Sequence, residues 1–306
     1  MMSLTGKPVQ DAKYGNPPVT EGCICCGHRY TSDASFCERC QAPLELTHTV
    51  RGRGKPARFV SVLGASGAGK TVYLGFLLDL LSKGTPRLKG VANSTFSLAV
   101  QDETLTSLQN RRFPEKTPSE ADNWQWVHCE VHRLQKPKNY ADIITPDFAG
   151  EAIALEVERP GSYPAIRYVV AQSRGLLILC DSLRVRDASL SEDMFATKLA
   201  CYIHSLQQSL SNRQKTPMID LPVAIVFTKT DWCPEARFEP DIFARNNLPR
   251  MVQICARNFA RHRFFAASVV GRSATLRDRQ GRSMQLALHV EAHGIAEPLE
   301  WILRYC

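Results

Sequence analysis

The sequence predicts an α/β fold, a mainly parallel sheet with helices on both faces, preceded by a small unit built on paired cysteines. Three observations predict it. From Arg58 onward, short apolar runs bounded by turn residues alternate with helix-length segments, the pattern of repeated strand-helix-strand units. One strand-helix junction, Gly64-Ala65-Ser66-Gly67-Ala68-Gly69-Lys70-Thr71, fits G-x-x-x-x-G-K-[ST] at every fixed position. Ahead of it, Cys23 with Cys26 and Cys37 with Cys40 form two C-x-x-C pairs.

The junction reads as a phosphate-binding loop, so the larger unit is expected to be a P-loop NTPase. Phe59, Val60, Val62 and Leu63 make the apolar strand before it. Small residues then let the backbone wrap an anion, with amides and a helix N-terminus aimed at it. Lys70 is placed to reach the outer phosphates and Thr71 to offer its hydroxyl to magnesium.

Composition bounds the rest. At 306 residues and 44% hydrophobic content the chain can hold one large or two modest domains. No apolar run approaches the roughly 20 residues that span a bilayer, and the first fifteen residues lack a signal-peptide core. A cytoplasmic location is therefore expected. Thiols stay reduced where nucleotide is abundant, so the 11 cysteines point to metal rather than disulfides. The net charge of +8 is uneven: nine arginines lie between Asp241 and Arg282 against Asp241 and Asp278. That segment, 245–282, is a candidate contact for nucleic acid or another acidic partner, and a solvated basic face is the plainer reading.

In chain order, residues 1–20 carry prolines and glycines without apolar periodicity and are read as a mobile tail. Segment 21–46 holds the cysteine pairs. Each pair can form a tight knuckle, and four thiolates suit tetrahedral zinc; Cys25 and His28 are spare donors outside the pairs. A segment this short cannot bury a core, so the metal would supply its folding energy. Its spacing resembles a zinc ribbon, a unit that binds nucleic acid or protein or stabilises a terminus. Residues 47–57, basic and Gly-rich, are expected to be an irregular linker, and 58–306 the P-loop domain.

Within that domain, Thr71–Lys83 is apolar almost all round and should be a buried helix stopped by Gly84 and Pro86. Residues 87–123 are polar, with a helix expected near 97–108 and a loop around Phe113-Pro114. Strands are expected at 124–134, 140–145, 175–180, 222–227 and 264–268. Ser189 and Glu192 make a capping box for a helix to about Leu210. A helix over 240–257, a hairpin within 274–290 and a short helix over 298–304 complete the chain. Ligand should sit at the carboxyl ends of the strands.

Two readings of the nucleotide compete. In one, the strand Leu176–Asp181 ends in the magnesium-organising aspartate of an ATPase. In the other, Asp147-x-x-Gly150 does that work, the aspartate holding magnesium and the glycine amide meeting the third phosphate. Thr228-Lys229-Thr230-Asp231 then reads the base. The lysine stem lies along a purine face, and the Asp231 carboxylate accepts from the N1 and N2 donors of guanine, which adenine lacks. This reading uses more residues, in one consistent order, and leaves Asp181 as an ordinary strand-end residue.

The order of loop, D-x-x-G, T-K-x-D and Ser268 resembles the translation-factor-class GTPases (Ras, Arf and G-alpha-like), over roughly Arg58 to Cys306. What the resemblance implies is GTP and GDP as ligands. Lys70 and Thr71 would sit on phosphate and magnesium, and Asp147 and Gly150 in the second switch. Lys229 and Asp231 would read guanine, with Ser268 and Val269 supporting the base. Thr117 is the candidate first-switch threonine, with Thr85, Thr95, Thr104 and Thr106 as alternatives. More narrowly, the F-P-x-K-T-P segment, D-F-A-G-E, the hairpin after Ser268 and the final P-L-E-W-I-L are similar to bacterial double-GTPase-type proteins. That family is associated with conflict and phage-defence settings, and the likeness implies a regulatory GTPase acting with partner proteins.

Two positions depart from the pattern. Thr228 stands where asparagine is commoner, which should weaken a supporting contact. Glu151 stands where many relatives carry a water-positioning glutamine, and its charge beside the third phosphate predicts slow hydrolysis. Arg159, Arg174, Arg184 and Arg186 are candidates to supply a compensating charge in cis, and a partner is the other source. The expected function is a GTP-binding switch with slow magnesium-dependent hydrolysis and a protein effector or activator. The alternatives are a zinc-ribbon binding module with a structural nucleotide and an ATPase using Asp181.

Overall fold

The protein, described by a computed structural model for residues 22–31, 33–115, 117, 124–210, 218–277 and 283–306, begins with two knuckles; the expected tail lies outside the described residues. In each knuckle the residue after the second cysteine takes a positive φ, Gly27 at 71° and Gln41 at 59°. Its amide donates to the first cysteine's carbonyl, 2.8 Å in both. Helix α1 (Leu44–Gly52) follows and enters the stretch expected as an irregular linker. Burial of Leu44, Leu46, Thr47 and Val50 supplies the stabilisation that propensity does not.

Strand β1 (Phe59–Gly64), buried at every position, runs into α2 (Lys70–Lys83), which Gly84 ends as expected. Next come β2 (Leu88–Ala92), in a stretch too polar to be assigned from sequence, and α3 (Thr95–Gln109), capped by the Ser94 hydroxyl accepting from the Ser97 amide. Strands β3 (Trp126–Arg133) and β4 (Lys136–Pro146) pair antiparallel. Helices α4 (Gly150–Glu158) and α5 (Pro164–Gln172) fill a stretch to which the sequence assigned no element. Then follow β5 (Ser173–Asp181), α6 (Ser182–Asp187) and α7 (Ser189–Leu210). Glu192, expected to cap α7 with Ser189, instead pairs with Arg184 at 2.6 Å.

After β6 (Val223–Thr228) come three short helices, α8 (Pro234–Phe238), α9 (Pro240–Asn247) and α10 (Pro249–Asn258). One helix was expected over 240–257. Pro249 divides it, because a proline removes an amide and disfavours helical geometry before it, yet suits the first turn of the next helix. Strand β7 (His262–Ala266) leads to a separate antiparallel hairpin, β8 (Ser268–Arg277) and β9 (Ser283–His293), and α11 (Glu297–Ile302) closes the chain. The middle of the expected hairpin, residues 278–282, lies outside the described residues. The described arginines of the Arg-rich segment are thus spread over α9, α10, β7, β8 and the turn before β7.

The main sheet has the order β2-β3-β4-β1-β5-β6-β7. Strands β4, β1, β5, β6 and β7 pair in parallel, while β3 pairs antiparallel with both β2 and β4. Alternate side chains go to opposite faces. Val60, Val62, Leu177 and Val226 join an apolar layer with α2 and α11. Phe59, Leu63, Ile178 and Ile225 join another with α4, α5, α7 and α10, and the knuckle cysteines and α1 belong to that second layer. The fold is therefore the expected α/β sheet covered on both faces. Because the five parallel strands share one direction, Gly64, Pro146, Asp181, Thr228 and Ala266 all end at one edge. Among the described residues no helix is long and apolar enough to cross a membrane.

Candidate nucleotide-binding site

At that edge a cavity of about 340 Å³ runs from Gly69, Lys70 and Thr71 to Lys229, Asp231 and Ser268, within the size range of small-molecule sites. Its first end is the loop after β1. Gly67 and Gly69 have φ of 74° and 79°, a region costly for side-chain-bearing residues, and they turn the loop back onto the start of α2. The Lys70 ammonium donates to the carbonyls of Gly64 (3.2 Å) and Ala65 (3.1 Å). Burial lowers its pKa to about 8, against the opposing pull of Asp147 and Glu151.

Three oxygens from distant parts of the chain meet beside Lys70. The Thr71 hydroxyl donates to Asp147 Oδ2 at 2.7 Å, the Thr117 hydroxyl to the same oxygen at 2.8 Å, and the two hydroxyls are 3.2 Å apart. Of the threonines considered for the first switch, Thr117 is thus brought to the loop, while Thr104 sits in α3 with its hydroxyl toward the Thr71 carbonyl. Asp147 is 5% exposed and its Oδ1 is buried without a hydrogen-bond partner among the described residues; burial raises its pKa despite the two hydroxyls. A hard-oxygen set with one unsatisfied buried carboxylate oxygen fits magnesium.

Gly150 begins α4 directly against the loop. A Cβ there would lie 2.0 Å from the Ser66 nitrogen, so only glycine allows the close approach. Beside it, the Ser66 hydroxyl donates to Glu151 Oε1 at 2.5 Å.

The other end belongs to β6, β7 and the hairpin. The Thr228 hydroxyl donates to the carbonyls of Ala68 (2.9 Å) and Cys180 (3.2 Å), so the loop contact expected to weaken with threonine is made. Lys229, at φ 58°, donates from Nζ to Asp181 Oδ2 at 2.6 Å. Asp181 also accepts from the amides of Leu183 and Arg184. It is therefore more than a strand-end residue: it steadies Lys229, and Asp147 rather than Asp181 meets Thr71. Asp231 accepts from the Ser268 hydroxyl (2.7 Å) and from Ser273 (3.4 Å), whose hydroxyl also accepts from Trp232 Nε1. Val269 lines the cavity next to Ser268.

Ser273 in β8 and Trp232 after β6 escaped the sequence reading because neither belongs to a motif. Asp181 was weighed there only as a magnesium-binding aspartate, because its contact with Lys229 spans 48 residues and no local spacing encodes it.

In the knuckles, one sulfur each from Cys23, Cys26, Cys37 and Cys40 lies within 4.8 Å of the others. The Cys23–Cys40 and Cys26–Cys37 sulfurs are 3.6 and 3.5 Å apart. Four thiolates at roughly 2.3 Å from one centre have about this spacing, so the set fits zinc. Cys25 is buried outside this group, its amide donating to Cys23 Sγ at 3.4 Å. His28 also stands apart and contributes its carbonyl to the Cys23 amide.

The Double-GTPase 2 family model matches residues 58–289. Solved structures resembling the chain include the Arl6 BBS3 small GTPase of Trypanosoma brucei with bound GppNp. It is 11% identical, with 81% of this chain and 96% of that one covered and a TM-score of 0.37. Another is the signal recognition particle receptor SRb-GTP/SRX complex of Chaetomium thermophilum, at 14% identity, 71% and 93% coverage and a TM-score of 0.40. No curated protein matches.

Proposed function

Since the chain belongs to the Double-GTPase 2 family, we propose that it is a GTP-binding regulatory switch that hydrolyses GTP slowly and acts through partner proteins. The conflict or phage-defence setting implied by the double-GTPase resemblance is part of this proposal. One observation carries the reading: the chain ends of five parallel strands bring an anion loop with Asp147, Thr71 and Thr117 to one end of a cavity and Asp231 to the other.

The loop amides and Lys70 bind the β- and γ-phosphates. Thr71, Thr117 and Asp147 would hold magnesium, which when bound neutralises phosphate charge. Asp231, held by Ser268, accepts from guanine, and the Lys229 stem, fixed by Asp181, lies along the ring. In the reaction a water oxygen bonds to the γ-phosphorus, and the bond from that phosphorus to the bridging oxygen breaks. The electron pair leaves with GDP and the water proton ends on the released phosphate. Glu151 brings a carboxylate where a neutral amide would orient the water, which is the physical reason for slow turnover.

The test is fluorescent-nucleotide competition with wild type and Asp231→Asn. Asparagine presents a donor in place of one acceptor, so preference should move from guanine toward xanthine triphosphate by about 10-fold or more, the value of one matched polar contact. An unchanged preference for guanine in the variant would refute the assignment.

A further inference from the structure

Resting on the GTP-hydrolysis reading above, we propose that Arg184 is the arginine finger of this site, supplied by the chain itself. Its Nη1 donates to the Ser66 carbonyl at 2.9 Å and its Nη2 pairs with Glu192 at 2.6 Å. Ser66 is the same loop residue whose hydroxyl contacts Glu151. The third-phosphate side of the loop is thus flanked by a carboxylate arriving from α4 and a guanidinium arriving from α6.

The other candidate arginines are directed elsewhere. Arg186 pairs with Asp187 and reaches the Trp232 carbonyl, at the base end. Arg159 follows the last residue of α4, at the opposite end from Gly150. Arg174 lies near the start of β5, at the sheet edge away from the loop.

The charge balance at the loop calls for such a group. Asp147 and Glu151 place two carboxylates there, Lys229 is committed to Asp181, and Lys70 donates to the loop carbonyls of Gly64 and Ala65. A triphosphate brings further negative charge. With its side chain 49% exposed and held by two contacts, Arg184 can change rotamer from the Ser66 carbonyl to a phosphate oxygen without opening the core. Glu192, 8% exposed in its side chain, is the positioning residue that keeps the guanidinium at the loop between turnovers. As the γ-phosphorus to bridging-oxygen bond breaks and its electrons pass to GDP, Arg184 donates N–H groups to the oxygens that gain charge and is itself unchanged. The water proton leaves with the phosphate, as before.

The experiment uses full-length protein with magnesium and compares wild type, Arg184→Ala, Arg184→Lys and Arg159→Ala. Single-turnover GTP hydrolysis, GDP affinity and formation of the GDP–aluminium fluoride adduct are measured. Arg184→Ala should slow hydrolysis by about 100-fold or more and abolish the adduct, with GDP affinity within about threefold of wild type. Arg184→Lys, which keeps charge but not the planar fork, should fall between. Arg159→Ala should behave as wild type. Hydrolysis and adduct formation undiminished in both Arg184 variants would overturn the proposal while leaving GTP binding intact. Wild type that binds GTP yet neither hydrolyses it nor forms the adduct would overturn it too. A wild type that binds no guanine nucleotide would instead sink the functional reading beneath it.

Discussion

Lys70 shows how one residue converts burial into a measurable response. Its ammonium is desolvated against two loop carbonyls, which lowers its pKa to about 8, whereas a phosphate in the loop would favour the charged form and raise it again. The sign follows. Below that pKa the lysine is charged in the free and bound protein alike, and nucleotide affinity is insensitive to pH. Above it, binding must take up a proton, so affinity falls, approaching about tenfold per pH unit. Calorimetry of GDP binding in buffers of different ionisation enthalpy should find uptake near one proton at about pH 9 and close to none at about pH 7. No uptake at the higher pH would mean that Lys70 does not meet phosphate. Lys70, Asp147 and Asp231 were legible in the sequence because each sits at a fixed offset in a short motif. Arg184 was one of four arginines the sequence could not separate, and Ser273 was not named at all, since Arg184 meets Ser66 across 118 residues and Ser273 meets Asp231 across 42. No local spacing encodes such contacts.

At the scale of elements, α1 is the instructive case. Its glycines and charges pointed to an irregular linker, and the sequence held no sign that Arg53, at its C-cap, would reach β3 and β4. There the guanidinium grips both oxygens of Asp142, one at 2.6 Å, and Glu130 at 3.0 Å. Burial pushes the Asp142 carboxyl up. The His128 ring 3.5 Å away, together with hydrogen bonds from Arg53 and the Arg58 amide, outweighs it, so the pKa is lowered overall. Arg53→Ala leaves a fully buried carboxylate without its main partner and should cost about 3–5 kcal/mol in urea unfolding; a loss under about 1 kcal/mol would mean that α1 is dispensable. A depressed carboxylate contributes stability above its unfolded value of about 3.9, and that contribution disappears as pH falls through the lower folded value. The acid-unfolding midpoint of the variant should therefore move up. Strand β2 escaped the reading for a related reason: only Leu88 and Gly90 of its five residues are buried, too short a pattern to mark a strand. Helices α4 and α5 did carry a signal, since Ala152 and Ile153, and Ala165, Ile166, Val169 and Val170, are buried at helical spacing.

Across the whole molecule, the knuckles and the α/β unit are bound through shared packing. Cys23, Cys25, Cys37 and Cys40 belong to the same apolar layer as Ile153 of α4 and Val169 of α5. Arg39 lies over the Tyr168 ring at 5.0 Å, and the Ile24 amide donates to the Thr47 hydroxyl of α1 at 3.1 Å. A chain of contacts thus runs from the four sulfurs through α1 and Arg53 to the centre of the sheet. A segment of this size has too little apolar surface to fold alone, so a zinc ion on the four thiolates would supply its stability, on the order of 10 kcal/mol or more for a structural zinc. Stripping the metal with a chelator under reducing conditions should release the knuckles and withdraw their side chains from that layer. The thermal midpoint should then fall by several degrees, since each kcal/mol is worth about 2–4 °C in a unit this large. Thiol titration should also find the four ligand cysteines and Cys25 newly reactive. Restoring zinc should reverse both changes, because the knuckle turns are formed by local backbone hydrogen bonds that close again once the thiolates share an ion. An unchanged midpoint with the same thiols exposed would show that the knuckles fold on the sheet without supporting it.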